Sequence, residues 1–307
     1  MYTYYSMDFM RNGYKFWTTG CGVKLVVRLV HTGLCLGILS GLLWKDTELR
    51  RALIELQYPV YGTIFLFTLF VSLVLYYIAS MTDPGYVDIS QFRQSAGNDH
   101  CLDIESEMSE EETHFSRLDS TRGDNQPLDK RNRYKYRYCD YCEIMPPLRS
   151  KHCEDCKQCV RRYDHHCPWL ETCIGERNHK YFWWFLLVMS ILIIWTVVIV
   201  WESFITKRTW AEWFHTNIVL FLIIAVLVIS GPVVVGLLAF HTYLMLNGQT
   251  TWEASSRERI TYLKYLDNEY NPFDEGCLLN SYYFMCFYKV RRWETLYAQR
   301  AKFKDTD

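Results

Sequence analysis

The chain has 307 residues, half of them hydrophobic, 17% aromatic and 22% charged, with a formal net charge of -1. That composition excludes a disordered chain, and the balanced charge gives no sign of a nucleic-acid partner. Mean hydropathy is slightly negative, so membrane character lies in the distribution: apolar residues form long blocks, and polar residues collect between them.

The N-terminal segment, 1–22, is aromatic and polar, with no apolar core or cleavage site of a signal peptide. The first predicted span runs from Val23 to Trp44, with Lys24 and Arg28 in its first turns expected to snorkel to the headgroups. The second, Tyr58 to Ser80, carries no charge and is long enough to cross a bilayer. Residues 81–130 begin with Asp83-Pro84-Gly85. Within them Asp88 to Asp129 is acidic and poor in apolar residues, the composition of a linker. A basic, cysteine-rich domain occupies 131–180. The third span, Tyr181 to Phe204, and the fourth, Asn217 to Leu246, follow, and Gly231-Pro232 predicts a kink in the fourth. In the tail, 247–307, Trp252 to Leu266 reads as an interfacial helix or as one packed on the cysteine-rich domain. Thr250 and Thr251, after Asn247-Gly248, read as a helix stop and restart.

The expected fold is therefore an α-helical integral membrane protein. Four transmembrane helices form two hairpins, 23–80 and 181–246, and a cysteine-rich domain lies between helices two and three. Four spans place both termini on one side. The short loops Lys45–Gln57 and Ile205–Thr216 hold five of the 33 basic residues and no cysteine. The positive-inside rule and the survival of free thiols together put the termini and the cysteine-rich domain in the cytosol.

Of the twelve cysteines, seven lie between Cys139 and Cys173, interleaved with three histidines. A secreted disulfide scaffold spreads its pairs through a small domain. Dense Cys-x2-Cys pairs with histidines between them point instead to zinc. Two closed four-coordinate zinc sites use eight of these ten candidates and leave two free for chemistry. The adjacent Asp164-His165-His166-Cys167 is where such chemistry belongs: a carboxylate orients an imidazole, and the imidazole activates a thiol nucleophile.

At these residues the chain resembles the DHHC cysteine-rich domain of the membrane protein S-acyltransferases. The likeness extends to Asn178 and Phe182, to Asp83-Pro84-Gly85 after span two, to Thr250-Thr251-Trp252-Glu253 after span four, and to Asn271-Pro272-Phe273 with Asn280 in the tail. Asp46 to Arg50 and Thr250 to Ile260 sit closest to one numbered vertebrate member. The resemblance implies two interleaved structural Zn2+ sites, one of Cys139, Cys142, His152 and Cys159, the other of Cys153, Cys156, His166 and Cys173. Cys167 and His165 remain, with Asp164 behind them. The implied activity is ping-pong transfer of a long-chain acyl group, typically palmitoyl, from acyl-CoA to cysteines of cytosolic or membrane-associated proteins. It also implies residence in the Golgi and endoplasmic reticulum.

The acyl chain is expected in an apolar cavity among the helices. Trp169, Arg149, Lys157, Arg161 and Arg162 are candidate acyl-CoA contacts, a solvated basic face being the plainer reading of any one cation. Cys21, Cys277 and Cys286 are candidate acylation sites, and Cys35 reads as a small apolar residue of span one. Two other classes compete. A zinc-binding adaptor of the RING type would need another Cys-x2-Cys where only Cys173 follows Cys167. A transporter would carry ionisable residues deep in its spans, which spans two and four lack.

Overall fold

In a computed structural model of the chain, the described residues are 20–90, 138–267, 270–286 and 291–301. Most of the expected linker, with Cys101, lies outside them. Four helices are long and apolar enough to cross a membrane: α1 (Gly20–Trp44), α3 (Pro59–Met81), α4 (His179–Glu202) and α5 (Trp210–Leu246). A short α2 (Glu48–Leu53) turns the chain between α1 and α3. Thr47 starts it by accepting a hydrogen bond from the Arg50 amide, and Pro59 opens α3 at a position where a missing N–H costs nothing. Thr209 caps α5 in the same way, from the Glu212 amide. That helix has 37 residues, roughly 55 Å at about 1.5 Å each, so it projects beyond a hydrocarbon core about 30 Å thick. It runs unbroken through Pro232, starting seven residues before the expected Asn217.

The spans pack around Leu42, Phe65, Leu69, Leu192, Ile193, Ile199, Leu220 and Leu227. Ile64, Phe67, Phe70, Ile194, Val228 and Ile229 point outward, as lipid-facing side chains do. The Arg28 guanidinium donates to the Ser80 hydroxyl (2.8 Å) and carbonyl (3.1 Å) at the end of α3.

Between α3 and α4 lie two antiparallel hairpins, β1 (Lys151–Cys153) with β2 (Gln158–Val160), and β3 (His165–Cys167) with β4 (Thr172–Ile174). The Asp83-Pro84-Gly85 segment fastens them to the membrane helices. Asp83 accepts from the amides of Gly85 and Tyr86, and Tyr86 and Val87 then pair along β2. Gly175 must lack a side chain here, since a Cβ would lie 2.6 Å from the Pro84 carbonyl and 2.7 Å from Val160. Asn178 ties the same junction: it accepts from the Gly175 amide and donates to the carbonyls of Ala79 and Cys173.

The tail folds back under the two hairpins. Thr250 and Glu253 form a reciprocal capping box that starts α6 (Thr251–Ser256). The expected helix over Trp252–Leu266 is only this short piece and a single 3-10 turn, Arg257–Arg259. Ile260, Tyr262, Leu263 and Leu266 instead bury against Leu148, Phe273, Trp293 and Tyr297. Apolar spacing signalled burial, but the buried surface is a turn-rich knot rather than one helical face. Two further helices follow, α7 (Cys277–Cys286) and α8 (Trp293–Arg300). Asn280 on α7 donates to the Leu246 carbonyl at the end of α5 (2.7 Å), and Asn271 donates to Asn247 (2.6 Å). Cys277 and Cys286 are exposed, whereas Cys35 is buried within the bundle.

Candidate active site and metal centres

Strand alternation sorts the cysteines and histidines. On β1, His152 and Cys153 point to opposite faces. His152 pairs across the hairpin with Cys159, and the turn of Cys139 and Cys142 closes on the same side. On β3, His166 pairs with Cys173, joined by Cys153 and Cys156. Two groups result, each with its ligand atoms within 4.8 Å of one another: Cys139, Cys142, His152 and Cys159, then Cys153, Cys156, His166 and Cys173.

In the first group His152 Nδ1 lies 3.6, 3.3 and 4.0 Å from the sulfurs of Cys139, Cys142 and Cys159. In the second, His166 Nδ1 lies 3.6, 3.5 and 3.7 Å from Cys153, Cys156 and Cys173. A tetrahedral zinc with bonds of about 2.3 Å to sulfur and about 2.0 Å to nitrogen separates its ligands by roughly 3.5–3.8 Å. The donor sets therefore fit zinc in chemistry, number and spacing. Each Cys-x2-Cys turn ends in a left-handed residue, Glu143 (φ 56°) or Lys157 (φ 55°), which brings the paired sulfurs to one side.

The same alternation leaves His165 and Cys167 together on the other face of β3. Cys167 is half-buried and packs at the end of the spans beside Leu170, Phe182 and Leu186. The loop after it is pinned to the helices: Tyr76 donates to the Trp169 carbonyl (3.1 Å), Ser80 to Leu170 (3.1 Å), and the Trp169 indole to His31 Nδ1 (3.2 Å). His165 Nδ1 contacts Asp164 Oδ2 at 2.7 Å. Thr251 adds two more donors to this carboxylate, its amide at 2.9 Å and its hydroxyl at 2.7 Å.

Charge follows from these contacts. Burial opposes a charge on His165, yet its hydrogen bonds with Asp164 and Cys167 outweigh that and raise its pKa to about 9. Burial alone would raise the Asp164 carboxyl; the surrounding His179, His165 and His241 hold it well below the usual carboxylate range. The imidazole thus accepts a proton readily and keeps it beside an anion. That arrangement suits a thiol nucleophile.

Two participants carry no sequence motif. His179 Nδ1 lies 3.7 Å from Asp164 Oδ1, and its Nε2 is 3.0 Å from His241 Nδ1. Both are buried. They come from different spans, and only the packing of α4 against α5 joins them.

The candidate acyl-CoA contacts separate. Arg149 is 1% exposed and is held by Glu253 at 2.7 and 2.5 Å, with Phe273 and Trp293 on either side of its guanidinium. It has no surface to offer a phosphate, so the expectation for it is corrected: its charge belongs to the fold. Arg161 pairs with Glu176 at 2.8 Å. Arg162 is buried, while Lys157 and Trp169 are exposed.

Comparison with known proteins adds to this geometry. A family model described as DHHC palmitoyltransferase matches residues 132–258. Palmitoyltransferase ZDHHC12 of Homo sapiens is 36% identical over 277 residues, covering 90% of this chain and 92% of that protein. Palmitoyltransferase ZDHHC12-A of Danio rerio is 35% identical over 283 residues, 92% of this chain and 95% of that protein. Protein S-acyltransferase 10 of Arabidopsis thaliana is 35% identical over 150 residues, 48% of this chain and 43% of its own.

Proposed function

The chain belongs to the DHHC palmitoyltransferase family, and from that premise we propose that Cys167 is the nucleophile through which it transfers acyl groups. It is a multi-pass membrane enzyme, a protein S-acyltransferase. The observation that carries the assignment is the alternation on β3: His166 turns to a four-donor cluster while His165 and Cys167 share the opposite face.

In the proposed reaction His165 holds the proton that Cys167 gives up, so that the reacting pair is an imidazolium beside Asp164 and a Cys167 thiolate. The thiolate attacks the thioester carbonyl of acyl-CoA, the bond to the coenzyme A sulfur breaks, and that sulfur takes the His165 proton and leaves as the thiol. His165 then takes the proton of a protein substrate's cysteine, whose thiolate attacks the acyl-enzyme and releases the Cys167 thiolate. One thioester replaces another at each step, so the energy change is small and the kinetics are ping-pong. Asp164 fixes the His165 tautomer and holds the imidazolium, and Thr251 holds Asp164. The two Cys3His groups would hold zinc as closed structural sites that brace the hairpins.

The acyl chain would enter among the helices, where Cys35, Phe65, Leu69, Met189, Leu192 and Leu227 line a narrow apolar cavity. Each methylene buried there contributes roughly 0.8 kcal/mol. Trp169 and Lys157 are the contacts we assign to coenzyme A. Both termini and the zinc domain lie in the cytosol on this reading, facing cysteines of cytosolic or membrane-associated proteins, in the Golgi and endoplasmic reticulum. The test is labelling of the purified zinc-loaded chain with radioactive palmitoyl-CoA. Hydroxylamine-sensitive label is expected on Cys167 and none on Cys167→Ala; equal label on the mutant would refute the assignment.

A further inference from the structure

A second cavity, of about 250 Å³, opens beside the junction of the zinc domain and the membrane helices. Its height in the fold is set by Thr82, which follows α3, and by His179, Lys180 and Tyr181, which begin α4. It therefore lies where the membrane-spanning helices end. The tail closes it from the other side with Asn280, Phe284, Arg291 and Trp293. Neither Cys167, His165 nor Trp169 lines it, so it is separate from the space around the thiol.

Arg162, Arg177, Lys180 and Arg291 line it together with one carboxylate, Glu176, which Arg161 and the Trp293 indole already occupy. Arg177 pairs with Asp83 and Arg291 with Glu275, so Arg162 and Lys180 are the lining cations without an ion pair among the described residues. The decisive side chain is Arg162. It is only 8% exposed, its Nε is buried without a hydrogen-bond partner, and no ion pair involves it among the described residues. Its nearest aromatic neighbours, Phe284 at 5.7 Å and Trp293 at 5.9 Å, offer ring faces but no acceptor. Burial and the adjacent Arg149 lower its pKa to about 10, which leaves it charged at neutral pH. Glu253, Asp164 and Glu176 act on it only through space, and a buried donor without an acceptor is costly. Beside the unpaired Lys180, that open donor marks a place prepared for an anion.

We propose that this cavity binds a phosphate-bearing anion, with Arg162 as the buried anchor and Arg177, Lys180 and Arg291 around it. Two sources present that chemistry at a membrane surface: a phosphorylated lipid headgroup and the phosphates of coenzyme A. Only the second rests on the acyl-donor reading above.

The test uses the full zinc-loaded chain in phosphatidylcholine nanodiscs. One arm adds phosphatidylinositol 4-phosphate to the bilayer; the other adds non-acylated coenzyme A to the solution. Binding and the thermal unfolding midpoint are read in both, since a ligand of the folded state raises the midpoint. At least one probe is expected to bind wild type, and the successful arm identifies the source. Arg162→Met should weaken that binding roughly ten- to hundredfold, the loss of a charged hydrogen bond, with smaller losses in Lys180→Gln and Arg291→Gln. Without probe, Arg162→Met should unfold no earlier than wild type, because it removes a buried donor that has no acceptor. Arg208→Gln, in the loop between the third and fourth spans, should bind as wild type.

The proposal fails if neither probe binds, or if Arg208→Gln weakens binding as much as the cavity variants do. It also fails if Arg162→Met is destabilised without probe while Lys180→Gln and Arg291→Gln bind normally. Should Arg162→Met not fold, the two rim variants decide: loss of binding supports the site, and retention overturns it. Cys167→Ala is expected to bind the probe normally, so failure of the acyl-transfer assignment reads out separately.

Discussion

Thr251 donates both its amide and its hydroxyl to Asp164, 87 residues earlier in the chain, at 2.9 and 2.7 Å. The start of the tail thereby fixes the carboxylate that fixes His165. Thr251→Val keeps the amide and the shape but removes the hydroxyl. A hydrogen bond to a charged group contributes roughly 1.5–3 kcal/mol, so acyl-enzyme formation should slow about tenfold or more while zinc content stays the same. Thr251→Ser should retain most of the rate. A Val variant as fast as wild type in single-turnover labelling would remove Thr251 from the catalytic support.

Arg149 and Glu253 form a buried ion pair, 1% and 2% exposed at their side chains. Glu253 also accepts from the Thr250 amide and the Tyr262 hydroxyl, so the pair joins the cysteine-rich domain, α6 and the tail knot. Removing one partner of such a pair typically costs about 3–5 kcal/mol, because the other charge is left buried. Arg149→Met and Glu253→Gln should each lower the unfolding midpoint strongly. The double variant should lose less than the sum of the two. Additive losses would mean that the two charges are not coupled.

Four apolar blocks and ten clustered cysteines and histidines made the membrane helices and the metal-binding domain legible, because both signals are local. The excess of donors over two zinc sites pointed to free chemistry. What the spacing alone does not state is which donors share an ion; His152 and Cys153 are adjacent yet belong to different groups, and the alternation of a three-residue strand explains why. His179 and His241 escaped notice for another reason. They lie 62 residues apart on two spans, and an isolated histidine in an apolar helix carries no periodic signal. Arg149 was legible as a cation but not as a buried one, since its partner lies 104 residues away.

Zinc content separates ligands from the nucleophile. Purified chain should hold two zinc ions, and Cys167→Ser should hold two as well. Cys173→Ser should lose one, and with it much of the domain's resistance to protease, since structural zinc contributes roughly 10–16 kcal/mol in small fingers. Loss of one zinc in Cys167→Ser would make that residue a ligand and end its assignment as nucleophile.

The Asp164–His165 pair should also mark the stability of the folded protein. His165 has its pKa raised from 6.5 to about 9, so its charged form is favoured in the fold. The stabilisation is complete below about pH 6.5 and is lost as pH rises through about 9. The gap in unfolding midpoint between wild type and Asp164→Asn should therefore narrow from pH 6.5 toward alkaline pH, measured on zinc-loaded protein. A gap that widened over that range would contradict the pairing.

His165 and Cys167 should fail at different points of one reaction. Cys167→Ala removes the nucleophile and should form no acyl-enzyme at any pH. His165→Ala keeps the thiol and loses the base, which typically contributes about 10²–10⁴-fold. Hydroxide can replace the imidazole in deprotonating the thiol, because an ordinary cysteine titrates near about 8.5. Labelling of His165→Ala should accordingly recover in part as pH rises through that region, while Cys167→Ala stays silent. If a folded His165→Ala with two zinc ions showed no recovery, the ring would be needed for something other than the proton. Its contacts with Phe182 and His241, at ring-centre distances of 5.5 and 5.6 Å, would then point to packing of the thiol's surroundings as that role.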